Sequence, residues 1–260
     1  MSRWVNWLKL PQINDVQNLD AQSTTLLHAK IIQAKPFLRN LYLDLYDVIK
    51  KAIPTETSNN RVLVEVGSGG GFIKEVIPNV ITSDIMQLPN LDLCFSVLRM
   101  PFDDHSVDAC CMIDVLHHIP DTLAFFREME RCLVSGGKII MIEPANTLWG
   151  RFIHQNFHHE PFDPSKGWGF ASGGRLSCAN GAIPWIVFYR DRARFEREFP
   201  SFKIQKLQPH TPFRYLVSGG VSMRQLLPSF TYKMIKGFEK SLSPLHRYLG
   251  MFLTVEIQKM

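Results

Sequence analysis

The chain has 260 residues, 45% of them hydrophobic and 20% charged, proportions that suit a globular protein with a sizeable core and exclude a disordered or fibrous one. Its 29 Lys and Arg against 24 Asp and Glu leave a formal charge of +5. That excess fits an anionic ligand or a membrane surface and is too small to imply nucleic acid.

The N-terminal stretch MSRWVNWLKLP lacks the apolar core of a signal peptide. Its Trp4 and Trp7, beside Arg3 and Lys9, offer a peripheral contact to a membrane interface, or equally a packing contact against the core. Apolar residues at 27, 31, 34, 38, 41, 45, 48 and 52 recur at helical spacing, with Pro36 placed to start a second helix or kink the first. Residues 55–60, TETSNN, read as a loop. The domain division expected from this pattern is an N-terminal helical cap over 1–60 and a main domain over 61–260, with insertions at 145–190 and 209–250.

From 61 the pattern changes to short apolar runs alternating with helical stretches. Strands are predicted at 61–66, 79–84, 91–96, 107–114 and 137–144, and helices at 71–76 and 121–134. Such alternation predicts right-handed βαβ units and a mostly parallel sheet covered on both faces. Residues 145–190 read as an irregular insertion or lid. Residues 202–208 and 252–259 alternate like half-exposed strands, and Phe230, Met234, Phe238 and Leu242 fall at helical spacing. Five Cys, an odd number without a C-x-x-C pair, give no disulfide framework and suit a reducing compartment. No apolar run approaches the ~20 residues a membrane-spanning helix needs. A cytoplasmic enzyme or binding protein is expected.

The most informative string is VLVEVGSGGG at 62–71: a buried strand, Glu65, then Gly67, Ser68, Gly69, Gly70 and Gly71. Glycines at the carboxyl end of a strand let a ligand approach the backbone closely. Asp84 closes the next strand, where a carboxylate can accept hydrogen bonds from ribose hydroxyls. A dinucleotide fingerprint fails because Phe72 stands where its third glycine belongs, and no Gly-Lys-Ser/Thr completes a phosphate loop.

The E-x-G-x-G-x-G loop with Asp84 resembles the S-adenosylmethionine site of class I methyltransferases. The resemblance to the type 11 group extends through MPFDDHSVDACCMIDVLHHIPD (100–121) and RCLVSGGKIIMIEP (131–144). HHEPFDP (158–164), ANGAIPWIVFYRDR (179–192) and YLVSGGVSMRQLLP (215–228) resemble a bacterial subgroup found among polysaccharide-biosynthesis genes. This likeness implies a Rossmann-like α/β fold with a seven-stranded, mostly parallel sheet, an N-terminal helical cap and a C-terminal lid. It also implies S-adenosylmethionine as cofactor, held by Glu65, Gly67, Ser68, Gly69, Gly71, Asp84, Ile85, Ser96, Val97 and Asp114. The implied activity is methylation of a small or saccharide-like acceptor, with oxygen as the expected acceptor atom. Ser96 departs from the pattern, standing where the group usually places an acid for the adenine amine. A catalytically inactive cofactor-binding subunit of a partner enzyme is the alternative reading. Nucleic acid is not expected as a partner, since no Asn/Asp-Pro-Pro-Tyr-like motif is present; oligomeric state is left open.

Methyl transfer to a hydroxyl needs a group to take its proton. Candidates are His117 and His118, directly after the fourth strand, and His158, His159 and Glu160 in the insertion. Asp114 can hold the methionine part of the cofactor or cap the following turn. Glu143 stands at the active-site edge or caps its strand. His154 and His158 have a spacing that zinc sites use on helices, but no Cys lies nearby, and no metal is expected. Arg175, Arg190, Arg192 and Arg194 read as a solvated basic face, or as partners for an acidic acceptor if they line the pocket.

Overall fold

The computed structural model describes residues 8–13, 16–53, 61–158, 160–171 and 173–260. Trp4, Trp7, loop 55–60 and His159 lie outside them.

The N-terminal apolar stripe forms two helices, α1 (Gln22–Ala34) and α2 (Pro36–Ala52). They separate at Lys35, whose extended backbone is the conformation that a following proline favours, and Pro36 opens α2. Helix α2 buries Phe37, Leu38, Leu41, Leu45, Tyr46 and Ile49.

The strands β1 (Leu63–Glu65), β2 (Ile81–Asp84), β3 (Leu93–Cys94) and β4 (Val107–Ile113) follow. Then come α3 (Thr122–Cys132), capped by the Asp121 side chain, and β5 (Leu133–Pro144). The insertion carries α4 (Leu148–Phe157) and the short α5 (Ile183–Trp185), which continues in wider turns to Arg190 before α6 (Arg192–Glu198). The chain closes with β6 (Phe202–His210), α7 (Arg214–Ser218), α8 (Tyr232–Ser241), α9 (His246–Leu249) and β7 (Phe252–Lys259).

The seven strands make one sheet in the order β3-β2-β1-β4-β5-β7-β6. Its first five strands pair in parallel, whereas β7 runs antiparallel to both β5 and β6. Hydrophobic cores fill both faces, and β5 alternates between them. Ile139 and Met141 join one core, Ile140 and Ile142 the other. That double burial is why its sequence is almost continuously apolar. Among the described residues no helix is long and apolar enough to cross a membrane, and all five cysteines are free.

The structure corrects three sequence expectations. Residues 71–76 give a single helical turn, Ile73–Glu75, because a glycine run precedes it and Pro78 stops it. Strand β5 starts at Leu133 instead of 137, through pairing of Leu133 with Val107. The 145–190 insertion is helical over α4, where the Thr147 hydroxyl accepts a hydrogen bond from Gly150 N and caps the first turn.

Candidate active site

The strand order reverses direction at β1 and β4, and a ligand crevice opens at the carboxyl ends of such strands. Four carboxylates gather there. Glu65 ends β1, Asp84 ends β2, Asp114 follows β4, and Glu143, paired with Leu253 of β7, stands next to the end of β5. Asp114 holds a left-handed backbone (φ 55°), unusual for a residue with a side chain.

Two adjoining cavities occupy this edge. The larger, about 320 Å³, is lined by Asp84, Ile85, Ser96 and Val97. The smaller, about 210 Å³, is lined by Glu65, Ser68, Gly69, Gly71, His117, His158 and Glu160. Gly67, Asp114, His118, Arg175 and Leu176 border both. Helices α1 and α2 close the smaller cavity with Thr25, His28 and Tyr42, and the C-terminal segments add Tyr215 and Phe252.

The glycine loop is held by its neighbours. Gly67 (φ 66°) and Gly69 (φ 51°) take left-handed backbone, and a Cβ on Gly67 would stand 2.5 Å from the Val115 side chain. Ser68 N donates to Ser83 O at 2.8 Å, which ties the loop to β2. Gly69 N and Met86 N donate to the Asp84 carboxylate at 3.1 and 3.0 Å. Ser96 Oγ accepts from Leu98 N at 3.3 Å in the turn beyond β3.

The donor set fits S-adenosylmethionine, which carries both an ammonium and a sulfonium. Glu65 is buried, and its Oε2 has no hydrogen-bond partner. Burial pushes its pKa up to about 7 and that of Asp114 to about 8. A buried carboxyl with an oxygen left without a partner, as Glu65 presents, is suited to a cationic ligand group. Arg175 also meets the crevice. Its Nη1 lies 3.3 Å from Asp84 Oδ2, its Nη2 bonds Thr25 Oγ1, and its buried Nε has no partner. The other three arginines stay outside: Arg190 pairs with Asp191, Arg192 with Glu196, and Arg194 lies over the Trp168 ring.

The two candidate histidine groups form one cluster around Glu160. Buried His117 bonds Glu143 through Nδ1 (2.7 Å) and Glu160 through Nε2 (3.2 Å). Glu143 also accepts from Val115 N and Leu116 N, so it fastens the turn after β4. Although burial opposes charge on His117, the two carboxylates hold its pKa well above the ordinary imidazole value. The partner effect is reciprocal: against its own burial, His117 and His118 bring Glu160 far below the usual carboxylate range. His118 sits with Nδ1 3.2 Å from Cys178 O and Nε2 3.5 Å from Glu160 Oε1. Both partners of the ring are acceptors, the carbonyl at Nδ1 and the carboxylate at Nε2. His158 is bonded the other way, its Nδ1 accepting from Glu160 N at 3.4 Å. His154 stacks on Phe162 and contacts Met251 O at 3.4 Å, and burial lowers its pKa to about 4.

Sequence reasoning undervalued Arg175 and did not find Thr25, His28, Tyr42 or Tyr215. Arg175 lies in a Gly-rich loop with no periodic pattern, Thr25, His28 and Tyr42 belong to helices whose apolar spacing reads as core, and Tyr215 falls in the stretch read as an insertion.

Residues 64–141 match a family model described as a methyltransferase domain. Among solved structures, an S-adenosylmethionine-dependent methyltransferase from Thermotoga maritima superposes with a TM-score of 0.51 at 15% identity, over 84% of this chain and 89% of that one. Phosphoethanolamine N-methyltransferase 2 of Haemonchus contortus, with phosphomonomethylethanolamine and S-adenosylhomocysteine, gives 0.52 at 14% identity. That match covers 94% of this chain and 59% of the nematode protein. No curated protein sequence matches the chain. Residues 64–141 thus carry a methyltransferase domain, set in a Rossmann-like sheet, and the S-adenosylmethionine-dependent methyltransferase activity that this domain supports fits the glycine-loop crevice.

Proposed function

We propose that the enzyme methylates an oxygen of a small, saccharide-like acceptor bound in the smaller cavity, with His118 as general base. The observation that carries this reading is the His118–Glu160 pair at the cavity wall, with Nε2 3.5 Å from Oε1. His118 is held through Nδ1 at the Cys178 carbonyl, which leaves Nε2, beside Glu160, as the ring atom that exchanges a proton with the acceptor. Glu160 is too acidic to be the base; its carboxylate stabilises the imidazolium that forms when His118 takes the acceptor proton. The likeness of 158–164, 179–192 and 215–228 to a polysaccharide-linked subgroup supports the saccharide class.

The cofactor supplies the electrophilic methyl group, and the chain aligns the reactants and excludes water. In this reading Asp84 receives the ribose hydroxyls, and Ile85, Ser96 and Val97 border the adenine. The glycine loop from Gly67 to Gly71, including Ser68 and Gly69, lies along the backbone of the ligand. Glu65 and Asp114 face its methionine end, next to the chamber where His118 waits. The cap division at residue 60 and a cytoplasmic setting belong to the same proposal.

The test is S-adenosylhomocysteine formation with a panel of soluble saccharides. His118→Ala and Glu160→Gln should lower turnover about 10²–10⁴-fold for the first and less for the second. Affinity for S-adenosylhomocysteine, read by calorimetry, should stay near the parent's. A His118→Ala enzyme within about threefold of the parent would remove His118 as the base.

A further inference from the structure

Helix α8 exposes apolar side chains that its inner side does not need. That inner side is served by Tyr232 and Ile235, packed on the core, and by the buried Glu239. Glu239 accepts from Phe213 N at 2.8 Å, Arg214 N at 2.7 Å and the Arg214 guanidinium. Asp44 on α2 accepts from the Tyr232 hydroxyl at 2.5 Å, from Lys236 at 2.7 Å and from Arg214. Outward, Phe230 just before the helix and Met234 and Phe238 on it stand at 81%, 69% and 54% exposure. A surface helix of a globular protein normally turns polar residues outward.

The apolar area does not stop at α8. Leu226, Leu227, Leu245 and Tyr248 are exposed beside it in sequence. A chain of rings then runs from Phe238 to Phe213, Trp149, Phe152 and Phe157, each 5.9–6.2 Å from the next. Phe152 and Phe157 are half exposed on α4, and Leu148 at its start is exposed too. Charge is one-sided here. Across residues 211–250 the lone acid is Glu239, which is buried, while Lys233, Lys240 and Arg247 are exposed cations.

We propose that this face docks on the surface of an anionic phospholipid bilayer. Phe230, Met234 and Phe238 enter the boundary between headgroups and acyl chains, and Lys233, Lys240 and Arg247 meet lipid phosphates. The Asp44–Arg214–Glu239 cluster, buried at Arg214 and Glu239, fixes α8 so that insertion needs no refolding of the helix. Phe157 directly precedes His158 of the smaller cavity, so docking brings that cavity near the headgroups. A saccharide carried on a lipid could then reach it; this clause rests on the proposed methyl transfer, whereas docking itself does not.

The experiment is vesicle flotation of the full chain with phosphatidylcholine alone and with phosphatidylglycerol mixed in. The parent should float with the phosphatidylglycerol vesicles. Phe230→Ser combined with Met234→Ser should weaken that binding at least about tenfold. Lys233→Gln combined with Lys240→Gln should weaken it about thirtyfold, and only where anionic lipid is present. Calorimetry should give both variants the parent's affinity for S-adenosylhomocysteine, which shows an intact fold and keeps docking separate from the methyl-transfer reading. A parent that ignores both vesicles, or binding that neither variant weakens, overturns the proposal. So does a parent dimer, seen by sedimentation, that Phe230→Ser dissociates while no vesicle is bound, since the face then belongs to a second copy.

Discussion

Glu65 shows how one side chain can couple pH to ligand binding. Burial raises its pKa to about 7, and a ligand ammonium beside it favours the ionised form. Affinity for S-adenosylhomocysteine should therefore rise as pH increases through about 7, and Glu65→Gln should flatten the rise. Calorimetry at several pH values checks this, and an unchanged slope in the variant would move the ammonium elsewhere. For folding the sign is opposite. A carboxyl with a raised pKa contributes its stability below the ordinary carboxylate range and loses it as pH climbs through about 7. At this scale the sequence is legible where backbone chemistry singles out a residue, as with the glycine loop and Asp84. It is silent on how His118 is held, because the Cys178 carbonyl that meets its Nδ1 comes from 60 residues away.

Among the elements, the turn after β4 is fastened to β5 and to the segment after α4 by one imidazolium. His117 lies between Glu143 and Glu160, and its raised pKa means that its contribution is complete below the ordinary imidazole value and disappears only well above it. His117→Ala leaves two buried or nearly buried carboxylates without their cation. The expected loss is about 3–5 kcal/mol of unfolding free energy in urea at neutral pH. A loss near that of an ordinary surface substitution would show that the carboxylates find other partners. The strands of this region were readable from their apolar runs, and L-H-H from its place after β4. The union of His117, His118 and Glu160 was not, since sequence spacing treats positions 43 residues apart as two separate candidates. Helix α8 illustrates a different limit. Its period predicted a helix, but spacing alone does not say which side the fold turns inward, and the buried Glu239 decided it.

Over the whole molecule, the loop around Arg175 joins parts distant in sequence. Asp20, before α1, accepts from Leu176 N at 2.6 Å, Ser177 N at 3.1 Å and Ser177 Oγ at 2.6 Å. Arg175 itself spans α1 and β2 through Thr25 and Asp84. The parallel half of the sheet and its ligand edge were evident from the alternation of strands and helices. This closure was not, because it depends on long-range contacts of an irregular loop. If Asp84 receives the cofactor's ribose, Arg175 and the ribose seek the same carboxylate. Arg175→Met should then bind S-adenosylhomocysteine more tightly and release it more slowly in stopped-flow exchange. Equal release rates would show that the two do not compete.

That arrangement gives the enzyme a competitor it carries within itself. With the proposed ribose contact at Asp84, an entering cofactor would first displace the guanidinium, and the apparent affinity would be lower than the contacts alone allow. The same guanidinium would reclaim Asp84 as the spent nucleoside loosens. Expulsion of the product would then be helped by the protein's own side chain, and turnover would not wait for the ligand to leave unaided.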